Sequence, residues 1–461
     1  VDETDNITVS EQGAVSLKNV SCEIGRPAAT AVKTAVQRPE NWVRGFQRKL
    51  YRAAKESPQR QFGILYDKVC MSSTLQVAWK RVSANKASAG VDKKTINEIK
   101  EKGVEKFLDE LQNELLEEKY CPNKIKRVYI EKSNGSKRPL GIPTVKDRVA
   151  QMAMKLITEP LFEADFLDCS HGFRPKRDNK EAAQKTHKLS NTHKWAVDVD
   201  LKGYFDTIPR EELINLLRRR IIDKKVLALF RKWLKAPVVE DGQTKASDIG
   251  APQGGVLSPL LSNIYLHEID RLWHENKTVK LVRFADDMVF MCRSKRQAEW
   301  VMEKLRSQLE EMKLTLNEDK TEIKHVGEGF EFVGFKYRET YSTRQKRLVR
   351  TKYPRAKSMK KIRSAIRETL KSLPLGMTLR EVIERINPKL RGWANYFKIG
   401  NPYGAGWKLH RYVCDQLSLF WRRRKQLKRI NGCRKWKNAY YYENGLLYIP
   451  ELLRRKTNAA I

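Results

Sequence analysis

Apolar residues recur along this chain in two rhythms. Trp42, Phe46, Leu50 and Ala53 repeat at helical spacing, as do Leu75, Ala78, Trp79 and Val82, and the Ser88-Ala89-Gly90 loop closes the second helix. Val128 and Ile130 then alternate with Arg127, Tyr129 and Glu131; Asn134-Gly135 and Lys137-Arg138-Pro139-Leu140 follow, which predicts a hairpin with a tight turn and two basic arms. Thr144 and Asp147 have capping-box spacing before a helix whose apolar face is Val149, Met152, Ala153, Leu156 and Ile157. Trp195 to Val199 predicts a strand, and Pro209 opens the helix after it. Two short apolar runs, Leu281 to Phe284 and Met288 to Met291, flank Asp286-Asp287. Ala298, Val301, Met302, Leu305, Leu309 and Met312 mark a long amphipathic helix, and Phe330 to Phe335 predicts a strand. After about Lys352 the rhythm is helical again: Met359, Ile362, Ile366 and Leu370, then Leu379, Val382, Ile383 and Ile386. Residues 1–38 show no periodicity and predict a mobile polar arm. No internal repeat occurs, so the expected order is an α/β region followed by a basic helical tail.

Length and charge narrow the picture. The chain has 461 residues, room for about three domains. Hydrophobic residues make up 40%, enough to build cores, while 92 Lys/Arg against 55 Asp/Glu leave a net charge of +37. Such an excess repels itself unless a polyanion neutralises it. It argues against a membrane protein or a disulfide scaffold, and for a nucleic-acid partner. No run of about 18 apolar residues is present, and the first forty residues lack the basic-then-apolar order of a signal peptide. The seven Cys never form C-x-x-C, so neither a zinc site nor a disulfide framework is expected, and a cytoplasmic location is the default.

The charge is uneven. Residues 341–461 hold 31 Lys/Arg and 6 Asp/Glu, two-thirds of the whole excess. The densest run is Trp421-Arg422-Arg423-Arg424-Lys425-Gln426-Leu427-Lys428-Arg429, with Trp407, Trp436, Tyr440, Tyr441 and Tyr442 interleaved nearby. Cations release counterions from phosphates and aromatic faces stack on bases, which makes Arg422, Arg423, Arg424 and Lys425 candidate nucleic-acid contacts. The alternative is a solvated basic helix with core aromatics.

Two acidic sites stand on strand-like elements: Asp198-Val199-Asp200 with Asp206 downstream, and Phe284-Ala285-Asp286-Asp287. Adjacent aspartates at a hairpin turn repel each other unless a cation sits between them. Asp200 on a neighbouring strand would complete a set of hard oxygen ligands suited to magnesium. Two such ions, about 3.5–4 Å apart, clamp the attacking and leaving oxygens of an in-line phosphoryl transfer. Taken alone, Asp286-Asp287 also fits a solvated acidic turn.

In this setting the chain resembles the reverse transcriptases, in particular those encoded by group II introns, over about Leu75 to Asn401. The resemblance rests on ordered blocks: Lys137-Arg138-Pro139-Leu140-Gly141-Ile142-Pro143, Ser170-His171-Gly172-Phe173-Arg174-Pro175, the Asp200 segment, Pro252-Gln253-Gly254-Gly255-Val256-Leu257-Ser258-Pro259, Phe284-Ala285-Asp286-Asp287 (Phe where Tyr is commoner), Leu316-Asn317-Glu318-Asp319-Lys320-Thr321 and Phe332-Val333-Gly334-Phe335. Leu390-Arg391-Gly392-Trp393-Ala394-Asn395-Tyr396-Phe397 resembles the maturase-thumb signature.

The resemblance implies an α+β right-hand polymerase, with fingers and an antiparallel-sheet palm, then a helical thumb or maturase domain and a basic C-terminal segment. Its expected divisions are an arm over 1–38, an N-terminal extension and fingers over 39–190, a palm over 191–340, a thumb over 341–402 and a DNA-binding-like segment over 403–461. It implies two Mg²⁺ ions on Asp200, Asp286 and Asp287, with the Leu201 carbonyl as a further ligand and Asp198 and Asp206 in support. Lys132 and Arg138 would meet the triphosphate of a dNTP, and Gln253 would line its pocket. Phe205 would exclude a ribose 2′-OH, unless it is an ordinary core ring. Lys320 would protonate the leaving pyrophosphate, unless it is a plain surface Lys. Arg174 would touch template, unless it is a structural ion-pair partner. The implied partners are group II intron RNA or another RNA template, a DNA primer or target, and dNTPs, with no membrane. No Cys pair follows the thumb block, so no endonuclease is expected. Two further readings keep the same sequence features: a free-standing polymerase in repair or phage defence, and an RNA-binding splicing factor without polymerase activity.

Overall fold

A computed structural model describes residues 38–85, 88–131, 135, 137–245, 250, 254–343, 345–425 and 438–454. The expected arm falls outside these residues except for Arg38. The described residues from Pro39 onward form one compact unit.

Among the described residues, eleven strands form three sheets. The first joins β1 (Ile125–Glu131), β2 (Lys137–Ile142), β4 (Val238–Glu240) and β5 (Gln243–Lys245) in the order β2-β1-β4-β5. The expected hairpin is β1 and β2, paired antiparallel from Lys126↔Ile142 to Glu131↔Lys137. The second sheet has the order β6-β7-β3-β8, from β3 (Trp195–Val199), β6 (Lys280–Phe284), β7 (Asp287–Cys292) and β8 (Glu322–His325), all antiparallel. The third joins β9 (Phe330–Phe332), β10 (Phe335–Ser342) and β11 (Arg347–Pro354).

The middle strands of the second sheet are apolar at nearly every position because both faces are covered. Successive side chains point to opposite faces. Val197, Val199, Leu281, Met288, Phe290 and Cys292 face one core, shared with helices Pro39–Glu56, Ser72–Ala84, Val145–Glu163 and Ser258–His274. Ala196, Val282, Val289 and Met291 face the other, shared with helices Ala356–Ser372, Leu379–Phe397 and Tyr403–Arg424. Each fully buried large side chain contributes roughly 1.5–3 kcal/mol. The sheet is thus a partition between two apolar cores, and the ends of its strands open where the acidic residues lie.

Local signals set the helix boundaries. Thr144 accepts a hydrogen bond from the Asp147 N–H and starts helix Val145–Glu163, while Thr378 and Glu381 make a full capping box on helix Leu379–Phe397. The single strand expected over 330–335 is instead two. Val333 (φ 40°) and Gly334 (φ 84°) both adopt left-handed geometry, so the chain reverses between β9 and β10. Leu409, Val413 and Leu417 of helix Tyr403–Arg424 lie in the same core as Val382 and Ile386 of helix Leu379–Phe397. No helix among the described residues is long and apolar enough to cross a membrane.

Candidate active site

The register of the second sheet brings the carboxylates together. β3 pairs with β7 antiparallel and ends on Val199↔Met288, so the next step sets Asp200 across from Asp287. Residues facing one another in such a pair have Cα atoms about 5 Å apart. β6 and β7 close on Phe284↔Asp287 around the two-residue turn Ala285-Asp286. Alternation places Asp198, Asp200 and Asp287 on the face of the sheet that carries Ala196 and Val289.

Electrostatics record the crowding. Loss of surrounding water, then the charges of Asp286 and Asp200, push the Asp287 carboxyl up to about 6, while Arg355 and Arg138 pull the other way. Burial, then the charge of Asp287, push Asp198 up to about 7 against the pull of Lys324. Arg355 is a nearby cation that the motifs did not single out. The Asp200 side chain is already held: its Oδ2 accepts from Asn317 Nδ2 at 2.7 Å and from Lys320 Nζ at 3.0 Å. Its backbone is fixed by the Asn317 N–H on the Asp200 carbonyl at 2.9 Å, and Leu201 bridges Leu316. In this conformation no three His, Cys, Asp or Glu side chains among the described residues close into a metal cage. The donor set nevertheless fits a hard divalent ion: it is all oxygen, and its members repel one another without a cation.

A cleft of about 280 Å³ opens at Asp286 and Asp287, lined by Arg138, Leu140, Phe173, Phe205, Gly254, Gly255, Ser258, Pro259 and the Phe284-Ala285-Asp286-Asp287 turn. Five sequence blocks therefore meet in one concavity. Gly254 (φ 99°) permits this: a Cβ there would sit 2.4 Å from the Gly141 carbonyl oxygen of β2. Phe205, 7% exposed, forms part of the wall with its ring edge-to-face on Tyr204. Lys132 and Gln253 lie outside the described residues.

The structure corrects some expected contacts. Arg174 is buried at 7% exposure; it pairs with Glu163 at 2.7 Å and donates to the carbonyls of Leu167, Ser170 and Phe166. Its guanidinium ties a loop to the end of helix Val145–Glu163 and is not offered to a template. Arg424 donates to the Met377 carbonyl and stacks over Trp421 at 4.6 Å, so it anchors a helix end. Lys425 lies over the same ring at 5.9 Å. Arg423 and Lys425 are exposed and Arg422 half-buried, while Gln426 to Arg429 and Trp436 lie outside the described residues. Trp421 and Tyr441 are buried in the core and cannot stack on bases; Trp407 and Tyr442 are exposed.

Sequence reasoning missed the supports behind the turn. Arg283, fully buried, makes a two-pronged ion pair with Asp270, with Nε at 2.8 Å from Oδ1, and its Nη1 donates to Asn263 Oδ1 and to the Ala285 carbonyl. Asn263 Nδ2 donates to the Gly172 carbonyl at 2.8 Å. A Cβ on Gly172 would lie 2.2 Å from the Ala285 nitrogen. The available signal was one buried charge of each sign: Arg283 within an apolar strand, and Asp270 between Ile269 and Trp273 in an apolar helix.

Comparison with known proteins gives a consistent picture. The family described as reverse transcriptase (RNA-dependent DNA polymerase) matches residues 130–337, and that described as group II intron, maturase-specific domain matches residues 359–441. Protein YkfC of Escherichia coli is 40% identical over 264 residues, 49% of this chain and 69% of YkfC. The group II intron-encoded protein LtrA of Lactococcus lactis is 30% identical over 352 residues, 62% of this chain and 58% of LtrA. The nuclear intron maturase 2 of Arabidopsis thaliana is 29% identical over 178 residues, 30% of this chain and 24% of that protein.

Proposed function

The chain belongs to the group II intron reverse transcriptase and maturase family, and we propose that it extends a DNA primer on an RNA template with dNTPs and also binds intron RNA as a maturase. It carries an RNA-dependent DNA polymerase domain and a maturase-specific domain. The observation that carries the polymerase reading is the strand register that opposes Asp200 to Asp287, where Asp287 itself lines a cleft walled by Arg138 and Phe205.

Asp200, Asp286 and Asp287, with the Leu201 carbonyl, would hold two Mg²⁺ ions. When bound, these supply charge neutralisation at the primer 3′-oxygen and the triphosphate. The protein's own contribution is positioning. The β3–β7 register sets the spacing of the acids. Asn317 orients the Asp200 carboxylate through its Oδ2 and leaves Oδ1 for a ligand. Arg138 presents its cation to the triphosphate across the cleft, as would Lys132 and Gln253 from their blocks. Phe205 closes the wall against a 2′-OH. Lys320, tethered to Asp200, is the side chain we assign to give a proton to departing pyrophosphate. Beyond the cleft, Lys357, Lys360, Lys361, Arg367 and Lys371 are exposed on helix Ala356–Ser372 and form a cationic stripe suited to a phosphate backbone.

Primer extension on an RNA template with Mg²⁺ tests this reading. Asp286→Ala should abolish extension while template binding, which depends on the basic surface, stays near the wild-type value. Normal extension by that variant refutes the assignment, and RNA binding without extension by the wild type leaves a maturase alone.

A further inference from the structure

The polymerase reading leaves open what holds Asp286 and Asp287 in place. Ala285, directly before them, has φ 59°, a conformation that L-residues other than Gly seldom adopt. A two-residue hairpin turn needs φ > 0 at its first position, and with Ala there in place of Gly the strained geometry needs support from neighbouring groups. Its carbonyl accepts from Arg283 Nη1 at 3.0 Å, and the same Nη1 donates to Asn263 Oδ1 at 2.9 Å. The other edge of the guanidinium is occupied by Asp270, and both charges are 0% exposed. The Arg283 backbone is pinned as well: its N–H donates to the Cys169 carbonyl at 2.8 Å, and its carbonyl accepts from the His171 N–H at 2.9 Å. Arg283 therefore joins the catalytic turn, the Ser170-His171-Gly172 loop and helix Ser258–His274, whose first residues Ser258 and Pro259 line the cleft.

We infer that Arg283 is a positioning residue for the polymerase reaction: with Asp270 and Asn263 it clamps the Ala285 carbonyl and so sets where Asp286 and Asp287 stand for metal binding. This rests on the proposed assignment of those aspartates. An ion pair serving only to dock the helix on the sheet would need no bond to Ala285. Here one nitrogen reaches forward to the turn, and Asn263 extends the same network to the Gly172 carbonyl behind it. The planar guanidinium alone can serve three acceptors in fixed directions; a Lys ammonium keeps the charge but not the fork.

The test uses two variants of the full chain. Arg283→Lys keeps the buried charge opposite Asp270. Arg283→Met combined with Asp270→Leu replaces the pair with apolar groups of similar size, a change that buried ion pairs tolerate. Each is measured for Mn²⁺ affinity by electron paramagnetic resonance without nucleotide, for single-turnover dNTP addition, for primer–template affinity and for melting. The expected result is Mn²⁺ affinity about 10-fold weaker, in the range seen when groups that orient metal ligands are removed. Single-turnover addition should fall about 10²-fold, as for an ångström-scale misplacement. Primer–template affinity should not change. If the double variant does not fold, Arg283→Lys decides. Wild-type Mn²⁺ affinity and rate in a folded variant overturns the inference, as does a parallel loss of template affinity, rate and melting temperature. Normal extension by Asp286→Ala overturns the underlying assignment, and this inference with it.

Discussion

Gly172→Ala is the smallest change that should reach the Ala285-Asp286 turn from outside it. The added Cβ would lie 2.2 Å from the Ala285 nitrogen and 2.9 Å from both the Ala285 Cα and the Phe284 carbonyl carbon. Carbon normally approaches such atoms to about 3.5 Å, so roughly an ångström of movement is required, and every obstructing atom is backbone. The loop cannot simply withdraw. Asn263 holds the Gly172 carbonyl at 2.8 Å, and the His171 N–H is bonded to the Arg283 carbonyl at 2.9 Å. The strain therefore passes to the Phe284-Ala285 bond and to Asp286 and Asp287 next to it. Overpacking of this kind destabilises by about 1–3 kcal/mol. A one-ångström misplacement of reacting groups slows a reaction about 10²-fold, or about 2.7 kcal/mol in barrier. Single-turnover dNTP addition on an RNA template measures the rate, thermal melting measures the fold, and primer anisotropy measures binding. The expected pattern is a large loss of rate, a modest loss of melting temperature and unchanged primer binding. A rate within threefold of wild type would refute the claim that close packing of loop and turn sets the aspartates.

Gly392→Ala is the matched control: Gly392 sits inside helix Leu379–Phe397 with nothing within 4 Å of an added Cβ. That substitution should raise stability by about 0.5–1 kcal/mol, read as a higher melting temperature; a fall would contradict the open helical site. Phe205→Ala should admit ribonucleotides, seen as a higher ratio of rNMP to dNMP incorporation than in the wild type; unchanged selectivity would make Phe205 a core ring and nothing more. Burial pushes the His171 imidazole down to about 4, with Glu181 opposing. Between pH 6.5 and 4 the unfolded chain then binds the extra proton, so stability falls on acidification across that window, by up to about 3 kcal/mol. Urea unfolding of His171→Asn should show a flatter profile between pH 6.5 and 5 than the wild type; equal slopes would contradict the assignment of that dependence to His171.

How much of this was legible depends on whether a residue's signal is local or comes from a partner far along the chain. Asp200, Asp286 and Asp287 were readable because repulsive acids beside strand-forming runs are unusual, and the ordered blocks around them repeat a family pattern. The hairpin at 125–142 and the cap at Thr144 follow from neighbouring residues alone. β10 carried a plain two-residue alternation, Phe335, Tyr337 and Tyr341 against Lys336, Arg338 and Ser342, yet a reading that ended the strand at Phe335 passed over the Val333-Gly334 turn and the ribbon beyond it. Arg174 shows the opposite limit: a motif names the residue, but only Glu163, eleven positions earlier, shows where its charge goes.

Arg283 and Asp270 extend that point to the chemistry itself. Each is an anomaly in its own element, a charge in a strand covered on both faces and a charge on the inner face of an apolar helix. Neither is stable there alone, since an unpaired buried ion carries a desolvation penalty of several kcal/mol. Thirteen positions apart in sequence, they can be buried only together, and their pairing leaves one guanidinium nitrogen to hold the Ala285 carbonyl. Complementary buried charges next to a conspicuous acidic turn are therefore a sequence signal for what orients that turn, independent of the motif that marks it.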